Sequence, residues 1–158
     1  MKIKVREQIL RPRAEVFATL SRPDMFLSKW SRGVLGVTAV KNNAGRIGST
    51  FKIAGRDLTR KVYWHYEVTA SEPDKTFAGR ARGGPLAFSE IFSLEAVGQS
   101  ATEIIHTHEI QPSGLFRLAG PLFRLVWPRL MRDNLKNLKR LVEGNTTGRP
   151  QVAPSVPQ

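Results

Sequence analysis

Apolar residues repeat every second position through most of this chain and every three to four positions at its ends. Ile3, Val5 and Ile9 alternate with Lys4, Arg6 and Gln8, which predicts a first strand with one buried face. Pro12 and Glu15 then open a short helix with Val16, Phe17 and Leu20 on its apolar side. Pro suits an early helical position and an acidic residue suits the first turn. Arg22-Pro23-Asp24 restarts the chain into a second short helix, through Met25, Phe26 and Leu27 to Trp30. From residue 34 to residue 110 the period is two. Strands are expected at Val34–Lys41, Thr50–Asp57, Lys61–Ala70, Thr76–Arg82, Leu86–Glu95 and Thr102–Ile110. Turn residues separate them: Asn42 to Gly45, Glu72-Pro73-Asp74, Gly83-Gly84-Pro85 and Gly98-Gln99-Ser100. Short strands at this spacing predict an antiparallel meander.

The period changes again after residue 114. Leu115 to Val142 reads as a helix, with Gly144 in the position of a stop, and Pro128 is expected to kink or divide it. Beyond Pro128, Leu130, Met131, Leu135, Leu138, Leu141 and Val142 share one arc. Arg129, Arg132, Asp133, Lys136, Lys139 and Arg140 share the other. Asn134 is the polar exception on the apolar arc. Residues 144–158 carry Gly and Pro without periodicity and are expected to form a disordered tail after a domain spanning 1–143.

Strand, two short helices, six strands and one long helix is the element order of the helix-grip fold. The sequence resembles the START/SRPBCC superfamily, in its polyketide cyclase/dehydrase-like branch. The resembling stretches are Ile9-Leu10-Arg11-Pro12-Arg13-Ala14-Glu15-Val16-Phe17, Pro23 through Trp30, Gly45 through Phe51, Tyr66-Glu67-Val68-Thr69-Ala70-Ser71-Glu72-Pro73 and Leu138-Lys139-Arg140-Leu141-Val142-Glu143. The resemblance implies an α+β fold in which a curved antiparallel sheet of about seven strands grips the C-terminal helix. It also implies an apolar cavity between sheet and helix, and a hydrophobic ligand such as a lipid or polyketide. It transfers no catalytic residue, because fold does not settle function.

Composition narrows the chemistry. The 158 residues include no cysteine, which excludes disulfides, thiolate metal sites and cysteine nucleophiles. No apolar run approaches a membrane span and the first residues do not resemble a signal peptide, so a cytoplasmic protein is expected. The formal net charge is +12. The basic residues alternate along strands and fill one arc of the last helix, as on a solvated shell. No specific nucleic-acid motif is present, so no such partner is expected. Leu115 to Trp127, apolar with interleaved arginines, is expected to form a lid or wall of the cavity, with peripheral contact to an anionic membrane as a further reading.

Candidate chemistry lies where polar residues interrupt apolar strand faces. Glu90 sits between Phe88 and Phe92, His106 and His108 between Ile104 and Ile110, and Glu7 between Val5 and Ile9. In an even-register hairpin, Glu90 lies opposite His106 or His108. The first strand, flanking the last, would bring Glu7 to the same patch. A carboxylate can orient an imidazole for general acid–base work, or the group can anchor a ligand, or it can be a satisfied polar network. His106, His108 and Glu90 are therefore the candidate catalytic residues, and whether the protein is an enzyme stays open. Two His and one carboxylate also form an accepted metal set, but no metal or cofactor is expected. Trp64, Tyr66, Phe77, Phe88 and Phe92, on inward faces, together with Asn134 and Glu7, are the candidate ligand-binding residues. Arg80 and Arg82 are expected to face outward.

Overall fold

The structure is a computed structural model that describes residues 1–144 apart from positions 42, 44, 58–59, 84–85 and 113–119. The turns expected at 42–45 and 83–85, the helix start at 115–119 and the tail from 145 onward fall wholly or partly outside these residues. The elements run β1 (Lys2–Ile9), α1 (Arg13–Leu20), α2 (Pro23–Trp30), β2 (Val34–Lys41), β3 (Thr50–Asp57), β4 (Arg60–Glu72), β5 (Thr76–Arg82), β6 (Leu86–Val97), β7 (Ala101–Pro112) and α3 (Gly120–Gly144). The seven strands form one antiparallel sheet in the order β1-β7-β6-β5-β4-β3-β2. Consecutive strands pair through β2 to β7. The first strand returns beside the last, so the alternating patterns of distant segments face one core.

That core lies on the inner face of the sheet. Ile9, Val16, Phe51, Tyr66, Val68, Phe77, Phe92, Ile104, Leu135, Leu138 and Val142 are all buried in it. The outer face carries Lys52, Glu67, Arg80 and Arg82. Arg80 donates through Nε and Nη2 to Glu67 Oε2 at 2.9 and 2.7 Å, and the Lys52 ammonium lies 4.5 Å from the centre of the Tyr63 ring. Both arginines face outward, as their alternation requires.

Pro128 lies inside α3, which is one helix from Gly120 to Gly144 and is not divided there. Its C-terminal half is clamped to the corner between β1 and α1. Glu143 Oε1 accepts from the Leu10 N–H at 2.8 Å, Arg11 Nη2 donates to the Glu143 carbonyl at 2.9 Å, and Lys139 Nζ donates to the Gln8 carbonyl at 2.6 Å. The first turns are different: Leu122 and Leu125 are 63 % and 60 % exposed. Among the described residues, no helix is long and apolar enough to cross a membrane.

Candidate functional site

A line of polar side chains crosses the apolar inner face. The β6–β7 register places Glu90 opposite His108 and Phe92 opposite His106. Glu90 therefore reaches diagonally to His106, with its Oε2 3.1 Å from Nε2. The β5–β6 register puts Gly79 beside Glu90, and Tyr66 on β4 lies across that glycine. A Cβ at position 79 would collide with the Tyr66 ring and hydroxyl. The glycine is thus what lets a phenol from β4 reach the carboxylate on β6. His108 Nδ1 accepts from Trp127 Nε1 of α3 at 3.3 Å. The imidazoles are held by rings: Phe92 stacks on His106 at 4.0 Å, Phe88 lies 4.8 Å from His108, and Trp127 lies 6.0 Å from His108.

Burial decides the charge states. Glu90 is caught between opposing effects. Desolvation works to raise its pKa, but the hydrogen bond from His106, the electrostatic pull of the two imidazoles and the neighbouring Tyr66 hydroxyl outweigh it and hold the carboxyl below its usual range. Glu90 is therefore an anion at neutral pH. Its oxygens only accept, so His106 donates through Nε2. Burial pushes the His108 pKa down to about 4, and a neutral ring whose Nδ1 accepts from Trp127 carries its proton on Nε2. Burial first, and the Glu90 charge second, raise the Tyr66 hydroxyl well above its ordinary value, so it stays a neutral donor.

Among the described residues, two buried atoms of this line have no hydrogen-bond partner: Tyr66 Oη and His106 Nδ1. Glu90 is close enough to bear on the ionisation of Tyr66, yet the two make no hydrogen bond of good geometry. Tyr66 and Glu90 border an internal cavity of about 10 Å³, walled by Thr19 and Leu20 of α1, Pro23, Leu27 and Trp30 of α2, and Phe77 and Phe92 of the sheet. That is room for about one water.

The structure brings together most of the residues that the sequence singled out, though not all of them. His106, His108, Glu90, Tyr66, Phe88 and Phe92 form one cluster. Phe77 lines the cavity beside them, and its ring meets Phe17 edge-on at 6.4 Å. Trp64 is turned to the end of the sheet, where Nε1 donates to the Leu86 carbonyl at 3.1 Å. Glu7 shares the inner face but does not join the histidines: Lys139 of α3 takes it at 3.5 Å. Asn134 holds the chain after α2, accepting from the Arg32 N–H at 2.9 Å with its amide nitrogen 3.5 Å from Ser31 Oγ. This cavity lies under α1 and α2, and among the described residues its lining comes from α1, α2 and the sheet. Met131, Leu135, Leu138 and Val142 of α3 pack directly into the core.

Sequence reasoning missed Gly79, Trp127 as the partner of His108, and the wall from α1 and α2. A glycine on the otherwise apolar face of β5, between Phe77 and Ala81, was the available signal for the first. Leu20, Leu27 and Trp30 gave none, since wall and core residues have the same pattern. Among the described residues, no group of three or more His, Asp or Glu is arranged to hold a metal ion.

Comparison with known proteins supports the same architecture. The profile of a family described as polyketide cyclase / dehydrase and lipid transport matches residues 1–143. The fold is similar to TTHA0849 from Thermus thermophilus, with a TM-score of 0.73 and 16% identity over 93% of this chain and 100% of that one. It is similar to Ara h 8.0201, with a TM-score of 0.70 and 19% identity over 92% of this chain and 99% of that one. It is also similar to the di-domain ARO/CYC BexL from the BE-7585A biosynthetic pathway. There the TM-score is 0.73 at 14% identity, and the match covers 93% of this chain and 48% of the longer one. At these identities the likeness is one of fold. No curated protein matches the sequence.

Proposed function

The chain belongs to the polyketide cyclase / dehydrase and lipid transport family, and from that premise we propose that it binds a hydrophobic small molecule against the inner face of the sheet, without catalysis. The observation that carries this reading is the Tyr66 hydroxyl, buried without a hydrogen-bond partner among the described residues, beside an ionised Glu90 in a largely apolar wall. An unsatisfied buried donor costs stability, on the order of 1–3 kcal/mol, and a ligand oxygen would recover it. The cavity is too small for such a ligand, so binding requires the helices to move off the sheet. The exposed Leu122 and Leu125, set before Pro128 on the half of α3 that the Trp127–His108 hydrogen bond latches, are suited to that movement. With Arg124 between them, they also suit transient contact with an anionic membrane.

The test is native mass spectrometry of the purified protein, before and after addition of a panel of apolar molecules. A bound mass that disappears on denaturation supports the reading. A bare protein across the whole panel contradicts it.

One observation favours a catalytic alternative, a cyclase or dehydratase-like activity. Glu90 orients His106 through Nε2 and leaves Nδ1 without a partner among the described residues, at the position from which a general base would act. Turnover lost in His106→Ala, with ligand binding retained, would establish that role. Equal turnover in the variant would exclude it.

A further inference from the structure

The Tyr66–Glu90 pair defines which polar group a bound ligand can present. We infer that the ligand carries an uncharged hydroxyl, alcohol or phenol, and that Glu90 excludes carboxylates from this site. This inference rests on the binding reading above and adds the chemistry of the ligand to it.

The polar groups at the cavity wall are few. Thr19 Oγ1 is committed to the Glu15 carbonyl at 3.2 Å. Tyr66 Oη is a buried hydroxyl with no partner among the described residues, and Glu90 has one oxygen on His106. Leu20, Pro23, Leu27, Phe77 and Phe92 are apolar, Trp30 adds only its indole N–H, and among the described residues no Lys or Arg lines the cavity. A ligand group reaching Tyr66 meets its hydroxyl donor and the anionic Glu90 acceptor side by side.

Only a group that both accepts and donates complements that pair. A hydroxyl accepts from Tyr66 and donates to Glu90. A ketone satisfies Tyr66 but offers Glu90 nothing. An ammonium donates to Glu90 but offers Tyr66 no acceptor. A carboxylate fares worst: it has no proton to donate, and it brings a second negative charge beside Glu90 in a poorly solvated space with no cation on its wall. The +12 charge of the whole molecule does not compensate, because none of the Lys and Arg side chains among the described residues lines the cavity.

The experiment compares decan-1-ol, decanoate and decylamine at neutral pH as competitors of the uncharged fluorophore 1-aminoanthracene. It uses the full chain and its Glu90→Gln and Tyr66→Phe variants. The expected result is that the alcohol competes at least about tenfold more tightly than decanoate or the amine. In Glu90→Gln the alcohol–decanoate ratio should fall below about threefold, through stronger decanoate binding. In Tyr66→Phe the alcohol should weaken while decanoate is unchanged. Should Glu90→Gln fail to fold, the wild-type ranking and Tyr66→Phe still decide. Decanoate binding as well as the alcohol to the wild type would overturn the inference and leave the binding reading standing. No binding of the fluorophore or of any competitor would overturn the binding reading, and this inference with it.

Discussion

Tyr66 carries the clearest conflict between stability and function. Its ring is core, only 2 % exposed, while its hydroxyl lacks a partner among the described residues. Tyr66→Phe should leave the fold intact and raise stability by about 1 kcal/mol in urea unfolding, because it deletes a buried unsatisfied donor. A loss of about 2 kcal/mol or more would mean that the hydroxyl is already satisfied. His108 sets a pH dependence. Its folded pKa, about 4, lies below the unfolded 6.5, so acid protonates the unfolded chain first. Its contribution is complete above pH 6.5 and is lost as pH falls toward 4. The expected loss between about pH 7 and pH 4.5 is about 2–3 kcal/mol, and His108→Phe should remove most of it. Urea midpoints at the two pH values check this. Glu90 acts lower. Its depressed pKa makes its contribution present above about 4.5 and lost below, as pH falls through the folded value. At this scale alternation was a good guide to faces. It put Glu90, His106 and His108 together because a strand's side chains can point only two ways. It could not tell which element would compete for a residue. Lys139 claimed Glu7, and Arg32 claimed Asn134, from elements remote in sequence.

Helix α3 is two elements in one. The half after Pro128 packs through Met131, Leu135, Leu138 and Val142 and is clamped at Glu143. The half before it exposes Leu122 and Leu125, and the Trp127–His108 hydrogen bond latches it. Proline inside a helix removes one backbone hydrogen bond and crowds the carbonyl of Arg124, four residues back. Pro128→Ala should therefore stabilise the protein by about 1–3 kcal/mol and slow ligand exchange, because the hinge between the halves stiffens. Exchange unchanged in stopped-flow fluorescence would show that opening does not pass through this hinge. On the sheet, Gly79→Ala should cost about 1–3 kcal/mol, since the new methyl must displace the Tyr66 ring. Thermal unfolding reads this loss, and an unchanged midpoint would mean that Tyr66 moves freely. The boundaries of β2 to β7 were legible to within about two residues, because turn residues punctuate the period. The continuity of α3 through Pro128 was not, since tertiary packing on the far side outweighs the local break.

For the molecule as a whole, the order of elements was the most legible feature. A meander between two helical segments leaves few ways to close one core, and β1 returning beside β7 completes it. The location of the internal space was not legible. The sequence distinguishes apolar from polar faces, but it gave no sign of the gap under α1 and α2, since wall and core residues share one pattern. The central claim concerns that gap. Its most direct test is the pattern of nuclear Overhauser contacts between an unlabelled bound apolar alcohol and the isotope-labelled protein. Contacts are expected to Tyr66, Phe77 and Phe92 together with Leu27 and Trp30. Contacts confined to the depression on the outer face beside Val40, His65 and Arg82 would contradict that claim.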